Sequence, residues 1–210
     1  MKSPRILIET LLITGITLLG MWFLPQVKTL FALLPVVYLL IERRLRHRTW
    51  TELGFKFRSF FTDLRAAWIW FVLVGLVSQP TTALFAKVFL PEYLAHVQAR
   101  LPFALDMGLL ALLPVLAISL LGEELTYRTL IQGRLVPWIG VPAAIVLASV
   151  LFGLAHFAPG PALIVAVDIG MIVVDSILYG IIYARTGSLV VAWAAHFLGD
   201  ILGLLVLLSL

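Results

Sequence analysis

Cysteine is missing from this 210-residue chain. That removes disulfides, thiolate metal ligands and a cysteine nucleophile from the chemistry open to it. Charge is scarce as well: 12% of the residues are Asp, Glu, Lys or Arg, 62% are hydrophobic, and the mean hydropathy is +1.09. A soluble domain is about 45–50% apolar, so this composition places the chain in a membrane. No internal repeat, low-complexity tract or soluble domain is found in it. Three membrane-protease signatures are absent too. There is no His-Glu-x-x-His for a zinc site, no Gly-x-Ser-Gly for a rhomboid-type serine and, with Phe197 two places before Gly199, no Gly-x-Gly-Asp for a presenilin-type aspartate.

What is present is a series of apolar stretches near the length a bilayer requires. They fall at residues 6–24, 30–41, 66–90, 104–121 or somewhat beyond, 138–157, 162–184 and 188–208. The expected fold is all-α, a polytopic membrane bundle of about seven helices, with six or eight as the bounds. The second stretch is short and carries Pro35; the third is broken by Pro80, where loss of a backbone hydrogen bond predicts a kink. The first run lacks a small-x-small cleavage site and reads as a retained helix rather than a signal peptide. Residues 1–103 form the N-terminal transmembrane helices, and residues 104–210 the core that carries the chemistry, within one membrane domain.

Basic residues concentrate at 42–65, where Arg43, Arg44, Arg46, Arg48, Lys56, Arg58 and Arg65 outweigh Glu42, Glu52 and Asp63. The positive-inside rule puts this loop, and with it the N-terminus, in the cytoplasm of a protein of the cell membrane, plasma or inner. Arg128, Arg134 and Arg185 then fall toward the same side, and residues 91–101, with Glu92, His96 and Arg100, form an external loop or interfacial helix. Topology, with contact to anionic lipid, accounts for the basic loop, and no nucleic-acid partner is expected.

Four ionisable residues sit inside or against the later apolar stretches: Glu123, Glu124, His156 and His196. A charge at the bilayer centre costs about 2.5–3.5 kcal/mol even on a lenient scale, so such groups are functional candidates. Glu124 and Arg128 stand one helical turn apart in the favourable order and can pair. Glu123 is rotated about 100° from Glu124 and faces another wall. The plainer alternative is that both glutamates mark a cytoplasmic helix end. His156 closes Phe152-Gly-Leu-Ala-His156 in an otherwise apolar helix, where a lone histidine can equally be a packing residue. His196 and Asp200, four apart, share one face of the last stretch.

These clusters, Glu-Glu-x-x-x-Arg, Phe-x-x-x-His and His-x-x-x-Asp in that order, resemble the motifs of the Abi, or CPBP, family of intramembrane proteases. That family includes the type II endoproteases that trim prenylated CAAX proteins. The resemblance covers about residues 109–210, with the run Ala184-Arg185-Thr186-Gly187-Ser188 ahead of the last helix; the first hundred residues carry no motif. It implies that Glu123 is the general base on a water shared with His156, that Glu124 and Arg128 fix the helix behind it, with Phe152 beside them, and that His196 and Asp200 face the substrate carbonyl. Asp200 stands where the prenyl-protein proteases commonly have Asn, a donor; an ionised Asp only accepts. It is then protonated by burial, or orients His196, or helps bind a cation. No cofactor is required on the leading reading, with Glu123, His156 and His196 as candidate ligands if a divalent metal such as zinc takes part.

The implied activity is an endopeptidase cutting a membrane-associated or lipidated protein or peptide, CAAX-type or bacteriocin-processing, in the cytoplasmic half of the bilayer. A non-proteolytic scaffold with the same fold and a proton-coupled transporter are the alternatives. Asp168 and Asp175, seven apart and on nearly one helix face, fit helix-to-helix hydrogen bonding or a polar path to the site. Depth poses a difficulty: counted from Arg134, Pro142 and Ser188 as surface markers, Glu123, His156 and His196 lie about 16, 21 and 12 Å in. Bends at Gly122, Gly133 and Pro137 would be needed to bring them level.

Overall fold

The computed structural model describes residues 3–100 and 108–209, and every regular element among them is helical. Helices α1 (Pro4–Phe23) and α2 (Lys28–Leu45) form an antiparallel pair joined by a 3-10 turn at Pro25–Val27. Helices α3 (Phe60–Val72) and α4 (Gln79–Phe89) continue one another through Leu73–Ser78, wound as a π-helix just ahead of Pro80. A short helix α5 (Pro91–Arg100) follows. The next rod comprises α6 (Leu109–Glu124), a π-wound stretch Leu125–Gln132 and α7 (Gly133–Ile139). Helices α8 (Val141–Ala155), α9 (Ala162–Thr186) and α10 (Leu189–Ser209) complete the bundle.

Six helices are long and apolar enough to cross a membrane, and Val141–Ala155 is a shorter apolar seventh. This is an integral membrane protein with a helical-bundle fold, and the seven expected stretches are all represented. Their bounds shift. The second begins at Pro25 rather than near residue 30, and the fourth extends beyond 121 as far as Ile139, so Trp138 belongs to it and not to the next helix. The expected start at Ala104 lies outside the described residues.

Helices in lipid gain little from hiding apolar surface from one another, so they associate through close packing of small side chains. Ala144, Ala148 and Ser149 of α8 and Ala192 and Ala195 of α10 are fully buried in this way. Gly153 is a tight case: a Cβ there would stand 2.6 Å from Val173 Cγ2 and 3.3 Å from the Ile169 carbonyl oxygen on α9. Large apolar side chains such as Phe61, Leu110 and Ile118 point outward, as a lipid-facing surface requires.

Arg134 is not a surface marker. It is buried, donating through Nη2 to Glu42 (2.5 Å) and through Nη1 to Tyr38 Oη (3.2 Å) and Thr10 Oγ1 (3.3 Å). Glu42 also takes Arg46, and Glu9 takes both the Tyr38 hydroxyl and Arg46. Burying a cation requires such partners, and here they tie α1 and α2 to α7. The true turn at this end is Gly140, seventeen positions after Glu123 and sixteen before His156. An antiparallel hairpin about Gly140 therefore carries both residues to one depth, about 25 Å from the turn.

The basic loop folds back under the bundle instead of hanging from it. Leu53 is fully buried, its carbonyl accepts from the Thr129 hydroxyl at 2.9 Å, and Gly54 accepts from the Leu189 N–H at 2.8 Å. Lys56 Nζ donates to the Thr186 carbonyl at 2.9 Å. Thr49 gives its N–H and hydroxyl to Glu52, which holds that carboxyl below its ordinary pKa. Gly54 adopts φ +94°, and a Cβ there would meet Leu189 Cβ at 2.9 Å. For any other residue this left-handed backbone costs about 1–2 kcal/mol. Gly54→Ala is expected to loosen the loop by that amount, raising the rate of tryptic nicking at Lys56 or Arg58 in detergent-solubilised protein about five- to thirtyfold.

Candidate active site

Glu123 and Glu124 are the last residues of α6, and the π-wound stretch begins directly after them. Short π-wound segments inside helices occur often at functional sites. All eight residues of this one are buried, so the glutamates lie within a continuous rod and do not mark a helix end. Glu124 and Arg128, each without solvent exposure, pair as expected: Arg128 Nε stands 3.2 Å from Glu124 Oε2. Arg128 Nη2 also donates to Ser176 Oγ on α9 at 2.7 Å.

The other Glu124 oxygen, Oε1, lies 2.9 Å from His196 Nδ1 on α10. A carboxylate accepts, so the imidazole gives its Nδ1–H and turns Nε2 toward the site. Spacing along the chain does not foretell this bond, because its partners are seventy-two residues apart. Of the options left open for Asp200, orienting the ring through a direct hydrogen bond is not what the geometry provides: Asp200 Oδ2 is 3.8 Å from His196 Nε2.

His156 is the residue just beyond α8, which stops at Ala155 rather than running through 157. Its Nδ1 lies 2.8 Å from the Phe152 carbonyl oxygen. A carbonyl only accepts, so this nitrogen carries the proton and Nε2 faces inward. Glu123 Oε2 is 3.9 Å from His156 Nε2 and 4.0 Å from His196 Nε2. That oxygen is buried, and no hydrogen-bond donor among the described residues reaches it.

Aromatic rings hold this arrangement. Phe152 packs edge-on against Tyr127 and lies 4.5 Å from the His156 ring and 5.8 Å from the His196 ring, centroid to centroid. Tyr179 stacks on His196 at 4.3 Å. Tyr127, Ser176 and Tyr179 are not singled out by the motifs. The signal for the last two is the polar group Asp175, Ser176 and Tyr179 within the apolar run of α9.

Asp168 and Asp175 have different surroundings. Asp175 accepts from the Ser78 hydroxyl and from Gln79 Nε2, at 2.8 Å for the latter, and borders the cavity that holds the site. Asp168 is not on that cavity's wall, and its Oδ2 lies 3.5 Å from His96 Nε2 of α5. The polar π-wound end at Ser78 and Gln79 is thus a second feature of the N-terminal half that serves the site.

The cavity measures about 1650 Å³, with Glu123, His156, His196, Asp200, Asp175 and Tyr179 on its wall. Two ligands of one tetrahedral metal ion stand about 3.4 Å apart, given bonds of about 2.1 Å. The 3.9 and 4.0 Å separations are wider, and among the described residues no three His, Asp or Glu side chains are disposed to hold a metal ion. The arrangement is suited to holding a small polar molecule between a carboxylate and two imidazoles.

The family model described as type II CAAX prenyl endopeptidase Rce1-like covers residues 103–202, the segment that contains Glu123 through Asp200. No curated protein and no solved structure matches the chain.

The buried Glu124 charge is the hub of this geometry. Glu124→Gln leaves Arg128 as an uncompensated cation and is expected to destabilise the bundle by about 3–5 kcal/mol. A thermal-unfolding midpoint in detergent close to that of the wild type would show that the pair carries little load.

Proposed function

We propose, from the match of residues 103–202 to the family model described as type II CAAX prenyl endopeptidase Rce1-like, that the chain is an intramembrane endopeptidase whose attacking water is activated by Glu123. The observation that carries this reading is the convergence of Glu123 Oε2, His156 Nε2 and His196 Nε2, from three helices, at separations of 3.9 and 4.0 Å in the cavity wall. Such a separation exceeds a direct hydrogen bond and is one that a single water can bridge.

A water between Glu123 and His156 gives one hydrogen to each, which leaves its lone pair directed at a substrate carbonyl carbon. Attack forms the new C–O bond while Glu123 takes a proton. Charge then develops on the carbonyl oxygen. A protonated His196, held through Nδ1 by Glu124, donates Nε2–H to it. Collapse breaks the C–N bond, and the proton on Glu123 passes to the departing amine. Asp200 Oδ2 lies 3.8 Å from His196 Nε2, and Asp175 is fixed by Ser78 and Gln79. No metal is needed in this scheme. The substrate class is a membrane-associated or lipidated protein or peptide.

Glu123→Gln keeps the side-chain shape but removes the base, and general-base loss costs about 10²–10⁴ in rate. We expect kcat on a reporter peptide in nanodiscs to fall by that range with the unfolding midpoint unchanged, and wild-type cleavage to persist after chelator treatment in protein verified free of metal. Undiminished cleavage by Glu123→Gln would refute the base assignment. Activity lost to chelation and restored by zinc would refute the metal-free scheme.

A further inference from the structure

The π-wound stretch Leu73–Ser78 leads into Gln79 and Pro80 at the start of α4, in the part of the chain that the family model does not cover. It packs directly against α10. A Cβ at Gly75 would stand 3.3 Å from the Ala195 carbonyl oxygen, and one at Gly199 would stand 3.0 Å from that of Val74. Glycine on both sides lets the two backbones approach. An i→i+5 winding also adds one residue to the turn, which rotates the side chains that follow by about 100°. Gln79 reaches the cavity wall in this way.

Only one end of the Gln79 amide is held. Nε2 donates to Asp175 Oδ2 at 2.8 Å, and the Ser78 hydroxyl donates to the other carboxylate oxygen, Oδ1. A carboxylate only accepts, so the amide nitrogen faces Asp175 and the amide oxygen, Oε1, is turned away from it. No donor among the described residues reaches Oε1. It stands beside Gly203, where a Cβ would lie 3.1 Å from it, and both residues border the cavity. Glycine at 203 therefore keeps the approach to Oε1 open.

Inside a bilayer a polar atom without a partner is costly, so polar groups there are paired within the protein or face a cavity and its contents. We infer that Gln79 Oε1 is an oriented acceptor for a backbone N–H of the bound peptide, and that Asp175 and Ser78 are the positioning residues that aim it.

Its location selects which N–H it takes. Gly203 follows His196 by seven positions, about 10 Å along α10. An extended chain covers that distance in about three residues, so the N–H belongs to a residue about three from the bond whose carbonyl His196 meets. In a helix that N–H is already bonded to a carbonyl of its own chain, and proline has none. The acceptor thus selects a segment that is unwound at that position and does not carry proline there. Where the cut falls relative to Gln79 rests on the peptidase reading; that Gln79 binds the peptide does not.

Binding is measured apart from hydrolysis. A fluorescent lipidated reporter peptide, and a series in which one backbone amide at a time is replaced by an ester, are titrated into full-length Glu123→Gln protein in nanodiscs. We expect one ester position to weaken binding about two- to twelvefold, the range of a single neutral hydrogen bond. That loss is expected to vanish in Glu123→Gln protein that also carries Gln79→Met, which keeps the side chain's length without the amide. An equal loss with and without Gln79→Met, or no position-dependent loss at all, would overturn the inference. If Gln79→Met does not fold, Gly203→Ala, which sets a Cβ in front of Oε1, takes its place in the cycle. In the wild type the same ester is expected to raise KM more than it lowers kcat, at a position about three residues from the new terminus; an effect at another distance would overturn the placement. Peptides that bind with this pattern and are never cut would support the acceptor and refute the peptidase reading alone.

Discussion

Arg128 is fully buried in a membrane bundle, and the rest of the structure is arranged around the need to keep its charge compensated. A buried cation without a partner costs several kcal/mol, so the pair it forms fixes structure through the penalty for breaking it. Glu124 meets one side of the guanidinium and Ser176 another, while the second Glu124 oxygen binds His196. Three helices are thereby locked in register. Glu123, next in sequence to Glu124 and rotated away from it, is held in the cavity wall as a consequence. The buried structural glutamate and the one we propose as base are adjacent for a physical reason: the first anchors the rod that presents the second.

A second buried ionic cluster does similar work at the basic end. Glu42 and Glu9 of the first two helices hold Arg134, Arg46 and the Tyr38 hydroxyl. With the docked loop at Leu53 and Gly54, this cluster makes one end of the bundle rigid and closed.

Local patterns in the sequence carried over well into the structure. The four-residue spacing of Glu124 and Arg128 gives the ion pair, the His196 and Asp200 spacing gives a shared face, and the apolar stretches give the helices. Long-range neutralisation was not legible. Arg134 reads as a surface charge because nothing near it in sequence shows that Glu42, Tyr38 and Thr10 surround it. With Arg134 as a surface marker Glu123 counts as about 16 Å deep, which produces the depth mismatch among Glu123, His156 and His196. Counting from Gly140 removes it for the first two, and the recessed turn at Ser188, covered by the basic loop, accounts for the third. The His196 bond to Glu124 and the stacking of Tyr179 depend on how α9 and α10 pack, which no single-chain spacing encodes. Ser78 and Gln79 escaped notice because polar residues beside a proline read as a kink rather than as partners for an aspartate on another helix.

Hydrolysis of a peptide bond by Glu123 is the central claim, and N-terminal proteomics tests it most directly. Membranes expressing the wild type are compared with membranes expressing Glu123→Gln at matched levels, in a host that carries the natural substrate. The account predicts new peptide termini that appear only with the wild type. Identical profiles from the two membranes would contradict it.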